Sequence, residues 1–459
     1  MSDAYDVVVI GAGTGGYSCA LRAAQLRKRV ALVERDERLG GTCLLRGCIP
    51  TKALLQSAAV MDTVNRADEW GVKATGEPDW DAVKAFERRI VDKLVSGITG
   101  VVRARKIDVV RGTARVIPGP AVDVDGRRLE ATDVVVATGS APKLLPGLSV
   151  GSRVITSDQA LFYDTIPSST VVIGAGAVGL EFCSLYRSFG ADVTLIEALA
   201  RVAPLEDEEV SKEVARRFRR RGIQSFSGAK VQAVDETEED VKVVYDAGGE
   251  TRTVRADVCL VAVGRGPLSA DLGFEQAGVE LDRGFVKVDG QLRSSAPHVW
   301  AVGDVAATPL QLAHVAFTEG YAVAERIAGR SVPDIDYAGI PRVTYSSPEV
   351  ASVGLSEAQA AERGHQLEIE RFNFQGVGKA NILGDNGIVK IVAEKGGGTV
   401  LGMHMVGPHV TDLVSEAMLI TNWEATPDDV AALFHPHPTL SEAIGEAFLA
   451  LAGKPLHSV

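Results

Sequence analysis

The chain has 459 residues, of which 46% are hydrophobic, and its 48 basic and 60 acidic residues give a net charge of −12. This length suits about three domains of roughly 150 residues each, and the acidic balance argues against non-specific binding of nucleic acid. No apolar stretch is long enough to span a bilayer, and residues 1–6 lack the basic region of a signal or transit peptide, so we expect a soluble cytoplasmic protein.

The first predicted elements form a dinucleotide-binding pattern. Residues 5–10 are mostly apolar and predict a buried parallel strand, which runs directly into the glycine-rich turn of residues 11–16. A helical pattern follows over residues 17–29, and a second strand over residues 30–33 ends at Glu34. In this order the glycines allow a pyrophosphate to approach a helix N-terminus, and the acid can accept hydrogen bonds from a ribose.

The next stretch, residues 40–52, has two cysteines five positions apart, Cys43 and Cys48, followed by Pro50. Proline suits the first turn of a helix, and a helix start favours a thiolate at Cys48. We interpret the pair as redox-active, opening and closing as a disulfide. The alternatives are two unconnected buried thiols and a zinc half-site, which lacks a second cysteine pair because the other cysteines are single: Cys19, Cys183 and Cys259.

Residues 51–106 are mostly helical in pattern, with a polar break at 71–79, and short strands follow over residues 107–130. A buried strand at 133–136 ends in Ala-Thr-Gly, at Gly139. Such a strand returns the chain to the first nucleotide site.

A second dinucleotide pattern begins about 163 residues after the first. A strand at 171–173 enters the glycine turn of residues 174–179, a helix follows at 180–189, and the next strand ends at Glu197. The repetition predicts a second nucleotide site on its own domain. Glu197 favours NAD over NADP because a carboxylate repels a 2′-phosphate, and we interpret the nearby Arg201 as a surface charge.

Two further buried strands end in glycine turns. Residues 258–263 lead to Gly264, and the strand that begins at residue 298 ends in Gly-Asp at Asp304, an acid that can hold a chain of hydroxyl groups. A helix over residues 312–328 follows. We interpret this stretch as a return to the first domain, so that the second domain is inserted in it.

The composition changes after residue 334. Strands of an antiparallel sheet are predicted at 341–354, 367–374 and 387–406, and helices at 410–422 and 426–433.

A proline-rich turn with two histidines follows these helices. His437 and Glu442 suggest a base and the acid that orients it, whereas we interpret His435 as structural. The competing interpretation is metal ligation. Two histidines two positions apart, flanked by prolines and without another cluster, make a poor metal site, so we expect no metal.

Together these motifs resemble the flavin-dependent pyridine-nucleotide disulfide oxidoreductases, and within them the dihydrolipoamide dehydrogenase branch. The resemblance covers essentially the whole chain. It depends most on five segments: residues 41–52, 174–181, 302–304, 348–354 and 437–442.

The resemblance implies two cofactors. FAD would lie on the first domain, at Gly11, Gly13, Gly16, Glu34, Lys52, Gly139, Asp304 and Ala313. NAD would lie on the inserted domain, at Gly174, Gly176, Gly179, Glu181, Glu197 and Gly264. Lys52 and Glu181 would form an ion pair near the flavin ring.

The resemblance also implies the chemistry. Cys43 would meet the substrate, Cys48 would contact the flavin, and His437, oriented by Glu442, would act as acid–base residue from the partner subunit of a homodimer. The reaction would oxidise the protein-bound dihydrolipoamide of an acyltransferase or lipoyl carrier protein and pass hydride to NAD⁺. The alternatives are a reductase of another disulfide, a quinone or oxygen on the same scaffold, and an FAD-binding redox-sensing scaffold.

The implied fold class is α/β, with two Rossmann-like dinucleotide-binding domains and a C-terminal α+β dimerisation domain. We expect an FAD domain with the redox disulfide over residues 1–147, an NAD domain over 148–270, a return segment of the FAD domain over 271–338 and a dimerisation domain over 339–459.

Overall fold

The computed structural model describes residues 4–457. The first three residues of the N-terminal segment, which we expect not to be a signal peptide, lie outside the described part. The described chain divides into two compact units. Unit 1 consists of residues 4–53, 81–143 and 264–337, and unit 2 of residues 54–80, 144–263 and 338–457.

Each long stretch of the chain contains both strands and helices. Up to residue 143 they are β1 Ala4–Ile10, α1 Thr14–Gln25, β2 Val30–Glu34, α2 Gly41–Arg46, α3 Cys48–Asn65, α4 Trp80–Ala104, β3 Asp108–Arg111, β4 Ala114–Ile117, β5 Ala121–Val124, β6 Arg127–Val136 and β7 Ser140–Pro142. From 144 to 263 they are β8 Val154–Thr156, α5 Ser157–Ala160, β9 Ser169–Ile173, α6 Ala177–Ser188, β10 Asp192–Glu197, α7 Glu208–Arg220, β11 Gln224–Ser227, β12 Ala229–Glu236, β13 Val241–Ala247, β14 Glu250–Ala256 and β15 Val258–Val261.

The return segment and the C-terminal part complete the fold. Residues 264–337 form β16 Arg265–Pro267, β17 Leu281–Asp282, β18 Phe285–Val286, β19 Val299–Ala301 and α8 Ala313–Ile327. Residues 338–457 form β20 Arg342–Thr344, β21 Glu349–Gly354, α9 Glu357–Glu362, β22 Leu367–Asn373, α10 Gly378–Leu383, β23 Ile388–Glu394, β24 Val400–Gly407, α11 Val410–Asn422, α12 Pro427–Ala431 and α13 Glu442–Leu451.

Unit 1 is built on a sheet with the parallel order β3-β2-β1-β6-β19, and β4 and β5 extend it as antiparallel strands. Residues of β1 alternate between two cores: Val7 and Val9 pack on one face, Val8 and Ile10 on the other. Helices α1 and α8 cover the first of these faces. The strand order reverses between β1 and β6, which is where such sheets bind ligands at their carboxyl ends.

Unit 2 contains a second parallel sheet, β11-β10-β9-β15-β8, beside the antiparallel β12-β13-β14. Its C-terminal part is the antiparallel sheet β20-β21-β24-β23-β22. Helices α11 and α13 cover one face of that sheet, around Met403, Met405 and Ile391. The other face has a buried polar row that includes Ser352, His404 and Lys390.

The predicted fold class is therefore confirmed, and most predicted elements have counterparts within a few residues. Two differences concern the redox segment. The stretch between the cysteines contains the short helix α2, for which no helical pattern was predicted, and the helix predicted from Pro50 already begins at Cys48. The helical pattern of residues 17–29 ends at Gln25, where Arg27 has a positive φ of 64° that a helix does not accommodate.

Candidate functional site: the cysteine pair and the two glycine turns

The first glycine turn is shaped by backbone contacts that exclude side chains. A Cβ on Gly11 would lie 2.4 Å from the Ala137 oxygen, and one on Gly16 would lie 1.8 Å from the Gly11 oxygen. At Gly13, the N-cap of α1, a Cβ would meet only Gly41 Cα at 3.8 Å. The turn therefore has no room for side chains where α1 packs on the sheet, but it leaves space in front of the helix N-terminus. A pyrophosphate needs such space to approach the backbone N–H groups.

Glu34 lies at the end of β2, where the sequence places it, and is buried. Its Oε2 accepts a hydrogen bond from Ala12 N at 2.8 Å and its Oε1 from Asp36 N at 2.9 Å. Carboxylate oxygens have further lone pairs, so these bonds orient the group and leave acceptor capacity for a ribose.

The cysteine segment docks directly on this turn. Gly40 N donates to the Ala12 oxygen at 2.9 Å, and α2 begins one residue later. Gly40 has a φ of 123°, which favours glycine, and a Cβ there would lie 2.5 Å from Leu44 Cδ2. These contacts place Cys43 of α2 beside the first glycine turn.

Cys43 and Cys48 are both thiols in the structure and lie in hydrogen-bonding contact. That contact, with burial, raises the pKa of Cys43, while the positive charge of Lys52 lowers it. Lys52 is one helical turn after Cys48 on α3. The predicted pair is therefore close enough for sulfur chemistry between its members.

The remaining residues predicted to contact FAD also lie in unit 1. Gly139 follows β6 with a φ of 73° and open space around its Cα, and Ala313 is the first residue of α8. Asp304 lies in the 3-10 turn that follows β19, and its Oδ2 accepts from Ser140 Oγ at 2.5 Å. With the open glycine turn and Glu34, these residues fit an FAD.

The second glycine turn repeats the geometry of the first. A Cβ on Gly174 would lie 2.4 Å from the Ala262 oxygen, one on Gly179 would lie 1.9 Å from the Gly174 oxygen, and Gly176 has nothing within 4 Å. This correspondence supports the second nucleotide site.

Glu197 corresponds to Glu34 in the second turn. It accepts from Ala175 N at 2.6 Å and from Leu199 N at 2.7 Å. Arg201 Nη2 donates a hydrogen bond to the backbone oxygen of Glu206 at 3.1 Å, so this guanidinium is bonded to the backbone of its own segment.

The other residues predicted at the NAD site are divided between the units. Glu181 is buried on α6 in unit 2, and its Oε1 accepts from Tyr345 N at 3.0 Å. Gly264 is the first residue of the return to unit 1 and has a φ of 106°. The ion pair between Lys52 of unit 1 and Glu181 of unit 2 stays a prediction.

His437 and Glu442 form the predicted pair in unit 2. His437 Nδ1 lies 2.8 Å from Glu442 Oε1, and Thr439 N donates to Glu442 Oε2 at 2.8 Å. Partial burial alone would raise the pKa of Glu442, but these two hydrogen bonds outweigh it and lower that pKa. His435 makes a separate contact, 2.7 Å from its Nε2 to Glu416 Oε1, which supports its structural interpretation.

Comparison with known proteins identifies the family. Residues 5–320 match the pyridine nucleotide-disulphide oxidoreductase model, and residues 340–448 match the dimerisation domain of the same oxidoreductases. The chain belongs to the pyridine nucleotide-disulphide oxidoreductase family. The resemblance drawn from the motifs is confirmed, and with it an oxidoreductase that uses FAD and a pyridine nucleotide.

Relatives of this oxidoreductase span its full length. A dihydrolipoyl dehydrogenase of Bacillus subtilis (strain 168) is 43% identical, with 100% of both chains covered. One of Rhizobium etli is 39% identical, also with 100% of both chains covered. Among solved structures, LpdA from Mycobacterium tuberculosis is similar with a TM-score of 0.89 and 26% identity, covering 97% of this chain and 99% of that one.

Sequence reasoning missed two residues that hold the segment around Asp304 in place. Ser140 donates to Asp304, and buried Glu319 accepts from Gly303 N at 2.6 Å. Tyr337 in turn donates to Glu319 at 2.8 Å. For Ser140 the sequence offered one signal, which is that this residue directly follows the Ala-Thr-Gly end of its strand.

Neither a metal-binding cluster nor a membrane-spanning helix occurs in residues 4–457. Within that range, no group of three or more histidine, cysteine or acidic side chains is arranged to hold a metal ion. None of the helices in the described part of the oxidoreductase is both long and apolar enough to cross a membrane.

Proposed function

We propose that this oxidoreductase is a dihydrolipoyl dehydrogenase, which oxidises protein-bound dihydrolipoamide to lipoamide and reduces NAD⁺. The observation that carries the proposal is the contact between the Cys43 and Cys48 thiols, at the start of α3 and beside a dinucleotide turn. The names of the full-length relatives support the choice of substrate.

The first half of the proposed reaction is a thiol–disulfide exchange that starts from the Cys43–Cys48 disulfide. His437 takes the proton of one substrate thiol, and the resulting thiolate attacks Cys43 Sγ. The disulfide breaks, and Cys48 leaves with the electron pair as a thiolate. A mixed disulfide now joins the substrate to Cys43.

The second substrate thiol completes the exchange. It loses its proton to solvent through His437 and attacks the substrate sulfur of the mixed disulfide. The S–S bond to Cys43 breaks, lipoamide closes its ring, and Cys43 leaves as a thiolate. The enzyme keeps the two electrons on the Cys43 and Cys48 thiolates, and the two substrate protons have gone to His437 and solvent. When bound, FAD would supply the two-electron acceptor for this reduced pair, and NAD⁺ would finally take the electrons as hydride.

We propose that the active enzyme is a homodimer in which His437 serves the cysteine pair of the partner subunit. Three features of the described chain support this arrangement. His437 lies in the stretch that matches a dimerisation domain, and its side chain is 76% exposed. The neighbouring Leu433 and Phe434 are exposed apolar residues, which a partner would cover.

The proposed domain boundaries stay at 1–147, 148–270, 271–338 and 339–459. Their main support is strand β19 of the return segment, which pairs with β6 in the first sheet. That pairing also supports the proposed insertion of the NAD domain into the FAD domain. The lipoyl-carrying partner and the cytoplasmic location stay predictions.

The experiment is an assay of NADH oxidation by purified protein with lipoamide, glutathione disulfide, a quinone or oxygen as the acceptor, repeated with NADPH. We expect rapid oxidation of NADH with lipoamide and little with the other acceptors, and Cys43→Ser to abolish it. Slow lipoamide turnover by an FAD-loaded protein would refute the proposal. Faster turnover of a quinone or of another disulfide would identify that acceptor as the substrate class instead. FAD binding without turnover of any acceptor would indicate a redox-sensing scaffold.

A further inference from the structure

Two short strands connect the parts of unit 1 that are distant in sequence. Strand β7 ends the stretch before residue 144, and β16 begins the stretch after residue 263. They pair antiparallel, with Ser140 opposite Pro267 and Arg265 opposite Pro142. Arg265 therefore lies on the segment where the chain re-enters unit 1.

Arg265 binds Ser140 twice. Its Nε donates to Ser140 Oγ at 2.8 Å, and its Nη2 donates to the Ser140 backbone oxygen at 2.7 Å. The same Nη2 lies 3.5 Å from Thr42 Oγ1, in the residue before Cys43. This cluster thus lies beside the redox segment.

These bonds fix the direction of the serine hydroxyl. A guanidinium has only donors, so Ser140 Oγ must accept from Arg265, and its single proton is left for another acceptor. That acceptor is Asp304 Oδ2, at 2.5 Å. Ser140 is only 3% exposed, so water offers little competition for the proton.

The consequence is an oriented carboxylate. Asp304 has one oxygen held by Ser140, and its backbone oxygen accepts from Gln311 Nε2 at 3.2 Å. The other carboxylate oxygen is then presented in a fixed direction. Charge-assisted hydrogen bonds of the Arg265 type are stronger than neutral ones, which makes the orientation persistent.

We propose that Arg265 is a positioning residue for flavin binding, which acts through Ser140 to orient Asp304. This inference rests on the proposed FAD site but not on the identity of the disulfide substrate. The competing interpretation is that Arg265 only holds β7 and β16 together. Ser140→Ala separates the two, because it removes the hydroxyl and keeps both the backbone pairing and the bond to the Ser140 oxygen.

The experiment measures FAD rather than turnover. Apoprotein of the full chain is prepared for wild type, Arg265→Met, Arg265→Lys, Ser140→Ala and the double variant Arg265→Met/Ser140→Ala. FAD affinity is titrated for each, and the absorption spectrum of the bound flavin is recorded. Arg115→Met is the matched control, since Arg115 is an exposed arginine of β4 in the same unit.

We expect Arg265→Met and Ser140→Ala each to weaken FAD binding about tenfold and to shift the flavin spectrum. The double variant should be about as weak as either single variant, since both interrupt one path. Arg265→Lys should recover part of the affinity because it can reach one of the two acceptors, and Arg115→Met should resemble wild type.

The proposal is overturned if Ser140→Ala keeps wild-type FAD affinity and spectrum, or if the two single effects add fully. Thermal unfolding of each apoprotein identifies a variant whose FAD affinity is low because the protein is poorly folded. If Arg265→Met is such a variant, the FAD affinity of Ser140→Ala decides between the two interpretations. A wild type that binds FAD but does not turn over lipoamide refutes the proposed function alone, because the FAD titration is independent of the substrate.

Discussion

His437 Nδ1 lies 2.8 Å from Glu442 Oε1, and the two residues are only five positions apart in the chain. Thr439 N holds the second carboxylate oxygen, so Glu442 is itself fixed before it orients the ring. The imidazole therefore presents its other nitrogen, Nε2, on a side chain that is 76% exposed. This arrangement supports the proposed role of His437 as a base for a group outside its own turn.

The first prediction concerns this pair. Glu442→Gln should slow lipoamide-dependent turnover by about tenfold to a hundredfold, and His437→Gln by about a hundredfold or more, because proton transfer from the substrate thiol loses its positioned base. Reduction of the flavin by NADH should change little in either variant. Stopped-flow measurement of the two half-reactions checks this.

His435→Gln is the control for that prediction, since His435 lies in the same turn but contacts Glu416. It should leave both half-reactions close to wild type. Equal losses in the two half-reactions of His437→Gln would contradict the assigned role.

The second prediction concerns thiol reactivity. Cys19, Cys183 and Cys259 are fully buried, and burial raises their pKa values, to about 12 for Cys19 and Cys259. Because iodoacetamide cannot reach these three thiols, whereas Cys43 and Cys48 are only half-buried, it should modify only Cys43 and Cys48 in the folded, reduced protein. Mass spectrometry should find all five cysteines modified in denaturant. Rapid labelling of Cys183 without unfolding would show that the core opens.

The sequence predicted the parts of this site whose geometry is local. Gly11 and Gly174 must be glycine because a side chain would collide with a backbone oxygen, so the requirement leaves a visible motif. His437 and Glu442 could also be predicted to meet, because they are only five positions apart in the chain. The strand over residues 258–263 was predicted to be buried from its apolar sequence, and Cys259 within it is fully buried.

Contacts between distant segments could not be predicted in this way. Ser140 and Asp304 are 164 positions apart, and nothing in either segment specifies the other. The buried row Ser352–His404–Lys390 needs the register of three strands, which hydrophobic pattern alone does not determine. Helix α2 was missed because six residues are too few to show a helical period.

The third prediction uses that row. Lys390 is buried, and its Nζ donates to Asp207 at 2.9 Å, Glu209 at 3.1 Å and Glu357 at 2.6 Å. Burial would lower the pKa of Lys390, but the three carboxylates outweigh it and raise that pKa. Lys390→Met should therefore destabilise the fold by about 3–5 kcal/mol, since it leaves the buried carboxylate of Asp207 without its cation.

Urea unfolding measures this loss. The double variant Lys390→Met/Asp207→Asn should recover part of the stability, because it removes the buried charge that Lys390→Met leaves unpaired. Lys212→Met is the control, since Lys212 pairs with Glu208 on the exposed surface of α7. A Lys390→Met protein as stable as this control would show that the buried ion pairs contribute nothing net.

The fourth prediction concerns pH. His404 is fully buried between Ser352 and Lys390 in the row, and its Nε2 lies 2.9 Å from the Leu355 oxygen. Burial lowers the pKa of His404 despite that contact and the nearby negative charge of Asp207. The folded state therefore binds a proton less readily than the unfolded state, in which a histidine has a pKa of about 6.5. The stability that His404 contributes is present above pH 6.5 and declines as the pH falls below it, by up to about 1.4 kcal/mol per pH unit.

Thermal unfolding between pH 7.5 and 5.5 tests this prediction. The window lies above the range in which Asp207 and Glu209 lose their charge, because hydrogen bonds and ion pairs lower both of their pKa values despite burial. Wild type should lose stability on acidification more steeply than His404→Gln, which has no proton to bind at this position. His457→Gln, at an exposed histidine, should keep the wild-type slope. Parallel curves for wild type and His404→Gln would contradict the assignment, whatever the absolute stability of the variant, because the slope alone reports the proton taken up on unfolding.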